Sequence, residues 1–568
     1  MCGIAGIYHY ADPTRSVDRN VLVRMTRALA HRGPDGEGFH FDGALGLGHR
    51  RLAIVDLSPT GAQPMPFADG AYWITYNGEF YNHGAFREAL RAKGHTFRGT
   101  SDTETMLQLL ATRGADALTD ASGIFALGFW ERDARRLTLA RDPLGVKQVY
   151  YHDDGQRIAF ASEIKALLEC PDVPREIDAD AVNQYLHFHA ALFERTFLRD
   201  VKQLRAGEFL RITPGGHTRR TYWKVDDFTP RGGTPEATVE ALRDELRHIV
   251  GDQLMSDVPV GSFFSGGIDS TAVASMATKL AKPPRCFGVH FTGQGVIDER
   301  PFQEAAAKAL GLELELITLD GESFPEDMQR LLYAQDQPVI GHAMLPMDAV
   351  ASLAARRVKV CVGGQAADEI FGGYARYALA HPLKVASQWV TGLPDKALAR
   401  LRRTGPAQGS PASAPSPVGG NVWKQFAERR TLDRIAGNLT RSWRSVVDWR
   451  ERYFDNFAKV PESTWSRVFA APDLVSRERC RGVFYDTLDA SAATDPADKL
   501  MHWDVQTYLT GLFQQDDRMS MAHSLESRVP LADPRVVRFA FRSGFDLKFR
   551  DGASKWLLRQ AVADVIPA

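Results

Sequence analysis

The stretch that most limits what this chain can fold into begins near residue 257. There "VPVGSFF", "RCFGVHF", "LELELITL" and "VKVCVGG" read as short buried strands, and "STAVASMATKLA", "RPFQEAAAKALG" and "MDAVASLAARR" read as the helices between them. Strands and helices in regular alternation mean βαβ units and a parallel sheet. A helix, "EATVEALRDELRHIVGDQL", precedes the first strand, and the turn-rich "TPRGGTP" (229–235) precedes that helix. The first two hundred residues have a different grain. "GALGLGHRRLAIVD", "AYWITYNGEFYN", "IFALGFWERDARRLTLARD" and "QRIAFASEI" are β-branched and aromatic stretches broken by Gly, Asp and Asn. Two amphipathic helices interrupt them: "DRNVLVRMTRALAHRG", expected to end at Gly33-Pro34, and "DTETMLQLLATRG", expected to end at Gly114. That half reads as an α+β layered domain.

A chain of 568 residues is too long for one core. The expected division is 1–210 for the first domain, 211–240 for a linker and 241–568 for the second domain. A Pro/Ser/Ala/Gly-rich loop lies at 404–420, and the chain is mainly helical from about 421. With 69 basic and 70 acidic residues, nothing argues for a nucleic-acid partner. No apolar run reaches membrane-spanning length. Five scattered cysteines, Cys2, Cys170, Cys286, Cys361 and Cys480, fit neither a disulfide framework nor a zinc site and point to the cytoplasm.

Between the first parallel strand and its helix stands "FFSGGIDSTAV" (263–273). Gly266 and Gly267 let the backbone turn tightly and present N–H groups to an anion, and the helix N-terminus adds partial positive charge. Ser265 and Ser270 add hydroxyls. The string lacks the Walker G-x-x-x-x-G-K-[ST] and suits a pyrophosphate leaving group. Asp269 would repel phosphate without an intervening cation, which implies Mg2+. A Gly-Gly pair alone would equally suit a tight turn with no ligand. A second cluster, "GGQAADEIFGGYARY" (363–377), follows the strand "VKVCV" and brings Asp368 and Glu369 to the same edge of the sheet, with Asp368 the natural second metal ligand. At the other end, "MCGIAG" sets Cys2 behind the initiator methionine. By position alone this is either a small buried side chain or, once methionine is removed, a nucleophile with an α-amine beside it.

Together Cys2 with "GIAG", "HRGPDG", "RRLAIVD", "YNGEFYN", "TSDTE" and "ARDPLG" resemble the glutaminase domain of class II amidotransferases. "SGGIDS", "DEIFGGYARY", "DDRMSMAHSLESRVPLAD" and "GASKWLLRQA" resemble the synthetase domain of glutamine-dependent asparagine synthetases. The motifs fall in order over nearly the whole chain. The resemblance implies an N-terminal-nucleophile αββα sandwich followed by a Rossmann-like parallel α/β ATP-pyrophosphatase domain with a helical C-terminal part. It implies two half-reactions, hydrolysis of glutamine and adenylation of a carboxylate by MgATP, with ammonia crossing between them to displace AMP. Small molecules are its partners, with a homodimer as the assembly.

The resemblance also implies roles. Cys2 attacks the glutamine carboxamide with its own α-amine as base, since an α-amine titrates at about 7.7–8.0. Asn77 and the Gly78 N–H form the oxyanion hole. Arg51 holds the glutamine α-carboxylate, and Asp102 its ammonium with Glu79 assisting. Gly3 is expected to give the amide room to approach. Ser265, Gly266, Gly267, Asp269, Ser270, Val289, Gly363 and Gly364 bind ATP and pyrophosphate, and Asp269 and Asp368 hold the metal. Lys555 neutralises charge between the α-phosphate and the leaving pyrophosphate, while Arg518 organises the site by hydrogen bonds. Three positions of "GGQAADE" depart from the family pattern: Gly363 stands for Ser, Ala366 for Gly and, above all, Gln365 where a carboxylate is expected, at the ammonia and acceptor site, and glutamine cannot act as a base. The segment "LGLELELI" lacks an expected histidine, and the sequence ends at "DVIPA", short of a basic C-terminal segment. Aspartate is thus the default acceptor. The alternatives are another carboxylate, such as a sugar acid or secondary-metabolite precursor, or an inactive protein that binds glutamine and ATP.

Overall fold

The structure, a computed structural model, describes all residues except 1, 293–297, 321–323, 340–342, 382–447, 458–463, 465–474 and 567–568. The 404–420 segment and the start of the helical C-terminal stretch therefore lie outside the described residues.

The first half is two stacked antiparallel sheets, each six-stranded among the described residues. One carries the strands Gly3–Tyr8, Leu45–Arg51, Gly36–Asp42 and Ile158–Ala161; the other carries Tyr72–Phe80, Gly123–Glu131 and Arg136–Arg141. Strand alternation explains the layering. On Gly3–Tyr8, Ile4 and Tyr8 point into the core between the sheets, with Leu47, Trp130 and Leu139. Ala5 and Ile7 point outward, against Leu22 and Met25 of the helix Arg19–Arg27. Each fully buried isoleucine contributes about 1.5–3 kcal/mol. The helix Asp102–Arg113 packs on the outer face of the second sheet, giving the four-layer order helix, sheet, sheet, helix.

Two boundaries differ from expectation. The hairpin Glu208–Thr213 and Gly216–Thr221 pairs with Arg136–Arg141, so the second sheet continues beyond residue 210, to Thr221. The first helix stops at Arg27 rather than at Gly33-Pro34. Leu29, Ala30 and Arg32 instead bond to carbonyls three residues back, a tighter turn that directs Arg32 inward. At Gly3, a Cβ would meet Leu29 Cβ at 2.8 Å, so the packing of this turn also requires the glycine.

The second half holds a parallel sheet of five strands among the described residues, in the order Leu314–Leu319, Arg285–Phe291, Val260–Phe263, Val360–Val362, Glu526–Arg528. Chain order reverses between Val260–Phe263 and Val360–Val362. A crevice opens at the carboxyl ends of two strands at such a switch point. The loops 264–267 and 363–366 leave the sheet there. The last strand, Glu526–Arg528, was not legible as a strand in the sequence; its three residues "ESR" are all buried, at the edge facing the first half. Among the described residues, no helix is long and apolar enough to cross a membrane.

Candidate active sites

At the first site, Cys2 stands just ahead of the strand Gly3–Tyr8, buried, with its backbone N–H donating to Asn77 Oδ1 at 2.8 Å. Its carbonyl accepts from Arg32 Nε at 3.0 Å. Burial pushes the thiol above its ordinary range, so a nearby base is needed to make a thiolate. Asn77 Nδ2 is buried without a partner among the described residues, an uncommitted donor on the side chain that holds Cys2, although Asn77 itself does not line the cavity. Beside it, a Cβ on Gly78 would meet Ile124 O at 2.1 Å, so only glycine fits against the neighbouring strand. Cys2, Arg51, Gly78, Glu79 and Asp102 line one small cavity. Arg51 is steadied by the turn after it, donating to the carbonyls of Asp56 and of Ser58, the latter at 3.0 Å.

Two carboxylates face this cavity. Asp102 opens the helix Asp102–Arg113 and accepts from Phe80 N at 2.9 Å; burial raises its pKa to about 6. Glu79 is raised well above the carboxylate range by burial and by the charge of Glu526, against the pull of Arg528. Arg528 Nη2 lies 3.4 Å from Glu79 Oε1, and Arg528 Nε pairs with Glu526 Oε1 at 2.5 Å. Glu526 and Arg528 belong to the far half of the chain and went unassigned in the sequence, although they lie inside the quoted "SLESRVPLAD". The available signal was the charged–small–charged alternation, which in a strand sends Glu526 and Arg528 to one face and Ser527 to the other.

The second site is the crevice of the parallel sheet. Ser265, Asp269, Ser270, Val289, Gly363, Gly364, Gln365 and Asp368 line one cavity of about 410 Å3. The glycines hold its shape. Gly266 has φ of +71°, and a Cβ on Gly364 would meet Ser270 N at 2.6 Å. Ser265 and Ser270 share a hydrogen bond at 3.1 Å, and the Val289 carbonyl accepts from Gln303 Nε2 at 3.0 Å. Gly267 caps the helix Ile268–Leu280. Lys555, far away in sequence, reaches in: its Nζ lies 2.6 Å from Asp269 Oδ2 and 2.7 Å from Asp368 Oδ1. Burial would lower the Lys555 pKa, but the two carboxylates outweigh it and hold the ammonium charged. Its backbone is left-handed, φ +54°, and Gly373 makes room for it, since a Cβ there would meet Asp368 Oδ1 at 1.9 Å. Asp269 Oδ1 is buried with no hydrogen-bond partner among the described residues. A carboxylate pair with one oxygen still uncommitted suits a hard divalent cation.

Arg518 does not line this cavity. It is buried at the junction of the halves, donating to Ser162 O at 2.8 Å and to Asp517 Oδ2 at 2.9 Å. Arg32 joins the same cluster, reaching Glu163 Oε1 at 2.7 Å and Asp517 Oδ2 at 2.9 Å. The carbonyl of Cys2 is thus one guanidinium away from the second half.

A family model described as "Glutamine amidotransferase domain" matches residues 1–223, and one described as "Asparagine synthase" matches residues 241–568. The chain belongs to the asparagine synthase family. Asparagine synthetase 1 (glutamine-hydrolyzing) of Bacillus subtilis strain 168 is 32% identical over 572 residues, covering 100% of this chain and 85% of that protein. A putative glutamine-hydrolyzing asparagine synthetase of Mycobacterium tuberculosis strain H37Rv is 30% identical over 595 residues, covering 100% of this chain and 86% of that protein. Amidase chry2 of Gibberella zeae is 26% identical over 609 residues, covering 99% of this chain and 86% of that protein. As an asparagine synthase family member, the chain is a glutamine-dependent ligase that uses ATP, with a layered glutamine amidotransferase domain ahead of a parallel α/β domain.

Proposed function

We propose that this ligase makes an amide from a carboxylate, glutamine and ATP, with aspartate as acceptor and asparagine as product. The observation that carries the coupling is the strand Glu526–Arg528. Arg528, paired with Glu526, reaches Glu79 in the glutamine site, while Ser527 lines the ATP cavity. One strand is the wall between two chemistries.

In the first half-reaction, removal of Met1 turns the Cys2 nitrogen from an amide into an α-amine, close enough to its own thiol to take the proton. The thiolate attacks the glutamine carboxamide, and the free Asn77 Nδ2 donates to the oxyanion. Arg51 and Asp102 hold the α-carboxylate and α-ammonium of glutamine. In the second, the 264–267 loop and the helix N-terminus face the ATP phosphates. Asp269 and Asp368 would hold magnesium, which supplies charge neutralisation to the pyrophosphate. Lys555 balances the charge that grows as pyrophosphate leaves. Five free cysteines fit the cytoplasm as the setting.

Gln365 favours a second reading, in which the acceptor is a different carboxylate; it lines the cavity with its Oε1 buried and unpartnered among the described residues. The deciding experiment incubates the protein with ATP, Mg2+, glutamine and a panel of carboxylates, and follows pyrophosphate, AMP and amide. Asparagine formed at one per AMP establishes aspartate. AMP release with another carboxylate and none with aspartate establishes the second reading.

A further inference from the structure

Amide formation leaves a proton that has to go somewhere. When ammonia attacks the acyl-adenylate, the new C–N bond forms and the acyl carbon–oxygen bond to AMP breaks, AMP leaving with that electron pair. The nitrogen then carries one proton more than a neutral amide. Gln365, on the cavity wall, cannot take it, since a carboxamide is not a base near neutral pH. Lys555 is a charged ammonium committed to two aspartates.

Behind this wall lies Asp516, 5% exposed, on the helix Tyr508–Met521. Two side chains hydrogen-bond its carboxyl group, the Ser527 hydroxyl and the Gln365 amide, and both residues line the ATP cavity. With its amide engaged on Asp516, Gln365 keeps its buried Oε1 as an acceptor for an N–H of incoming ammonia. Lys147, from the first half, is buried here too, donating to Ser527 O at 3.4 Å. The charged and titratable groups facing Asp516 are Lys147, Asp517 and Cys361.

We propose that Asp516 is the terminal proton acceptor of the amide-forming step, reached through the Ser527 hydroxyl: the nitrogen gives its extra proton to Ser527 Oγ as that hydroxyl's own proton passes to the Asp516 carboxylate. The carboxylate absent from position 365 is supplied one side chain away. Burial raises the pKa of Asp516 to about 6, which leaves it ionised at neutral pH yet basic enough to receive a proton. Asp516 acts through Ser527 and is in that sense a positioning residue for the proton.

This proposal rests on the ligase reading above, and the experiment separates the two. Ammonium chloride replaces glutamine, the acceptor is the carboxylate for which wild type releases pyrophosphate, and the readout is amide formed per pyrophosphate released. Failure of wild type to release pyrophosphate with any carboxylate overturns the ligase reading and this proposal with it. Given that release, Asp516→Asn is expected to lower the ratio by on the order of 10²-fold, the lower end of general acid–base contributions. The double variant Gln365→Glu/Asp516→Asn, which moves the carboxylate onto the cavity wall, is expected to recover most of it. A purely structural role for Asp516 would not be rescued by this exchange. A ratio within threefold of wild type in Asp516→Asn, or no recovery in the double variant, overturns the proposal. Should Asp516→Asn also lose glutamine hydrolysis, the double variant decides alone: amide at near wild-type ratio upholds the proposal, and its absence overturns it.

Discussion

The glutamine site and the ATP crevice are both rich in buried carboxylates, yet they are assembled differently. In the crevice, the cation that answers Asp269 and Asp368 is Lys555, and all three come from the second half of the chain. In the glutamine site, the cation beside Glu79 is Arg528, which the first half does not own. Asp102 is held by the backbone N–H groups of Phe80 and Thr103, which, with the more distant charge of Arg528, do not offset its burial, and it remains raised to about 6. At the two sites the borrowing is uneven: Asp269 and Asp368 are answered by a lysine of their own half, whereas Glu79 draws on Arg528 of the other half, just as Asp517 at the junction draws on Arg32 and Lys147 of the first. A shared strand makes the ammonia-producing site complete only where there is a site to use the ammonia.

The sharpest way to break this comparison is to remove each site's reacting group. Cys2→Ala is expected to abolish glutamine-dependent synthesis, by on the order of 10⁵–10⁶-fold as for other nucleophile deletions, while ammonium chloride still supports amide formation. If glutamine use persists, the nucleophile lies elsewhere. Lys555→Met should cut pyrophosphate release by about 10²–10³-fold, the cost of losing one preorganised charge in a transition state, and leave Asp269 and Asp368 without the ammonium between them. Glutamate production without ATP should survive it, because no residue near Cys2 pairs with Lys555. Loss of both activities would mean that the crevice supports the glutamine site as well.

Arg528→Met tests the borrowed half of the comparison. Removing one partner of a buried pair costs about 3–5 kcal/mol, since Glu79 and Glu526 are then left without it. Arg528 also donates to the carbonyls of Gln253 and Met255 at 2.7 and 2.6 Å, so the thermal midpoint should fall. At a temperature where the variant is folded, KM for glutamine should rise by about tenfold or more, although the substitution lies far along the chain from the glutaminase motifs. An unchanged KM would show that the first half holds glutamine unaided.

Much of this architecture was legible in the sequence, for physical reasons. The strand Val360–Val362, "VCV", is apolar throughout because a parallel sheet is covered on both faces. The loop glycines announced themselves because a side chain has no room there: a Cβ at Gly266 would meet Gln303 N at 2.8 Å, and one at Gly364 would meet Ser270 N at 2.6 Å. What escaped is what depends on distance. Glu526–Arg528 is three residues long, too short for periodicity to register, and its charges read as surface until their partners are known. Arg32 sits in a quoted motif, but only the fold places it between Cys2 and Asp517. Asp516 adjoins Asp517, and nothing local distinguishes the one that pairs with Arg32 from the one that meets Gln365.

The mildest test varies only pH. In the proposed reaction Asp102 would hold the glutamine ammonium when ionised, and burial raises its pKa from 3.8 to about 6. The Cys2 α-amine works as a base when neutral, with a reference pKa of about 7.7–8.0. Both groups must lose a proton, so kcat/KM for glutamine hydrolysis without ATP should fall about tenfold per pH unit below the amine's pKa and about a hundredfold per unit below pH 6. The same shift has a stability sign. A carboxyl whose folded pKa is raised contributes stability that is fully present below about 3.8 and is lost as pH rises through about 6. Asp102→Asn removes the second titration: kcat/KM is lower throughout, and its slope stays at tenfold per unit down to pH 5. It should also be the more stable protein at pH 7.5 by thermal unfolding, because no charge is left to bury. A slope that still doubles below pH 6 in Asp102→Asn would assign that titration to another group, with Glu79 the next carboxylate in the cavity.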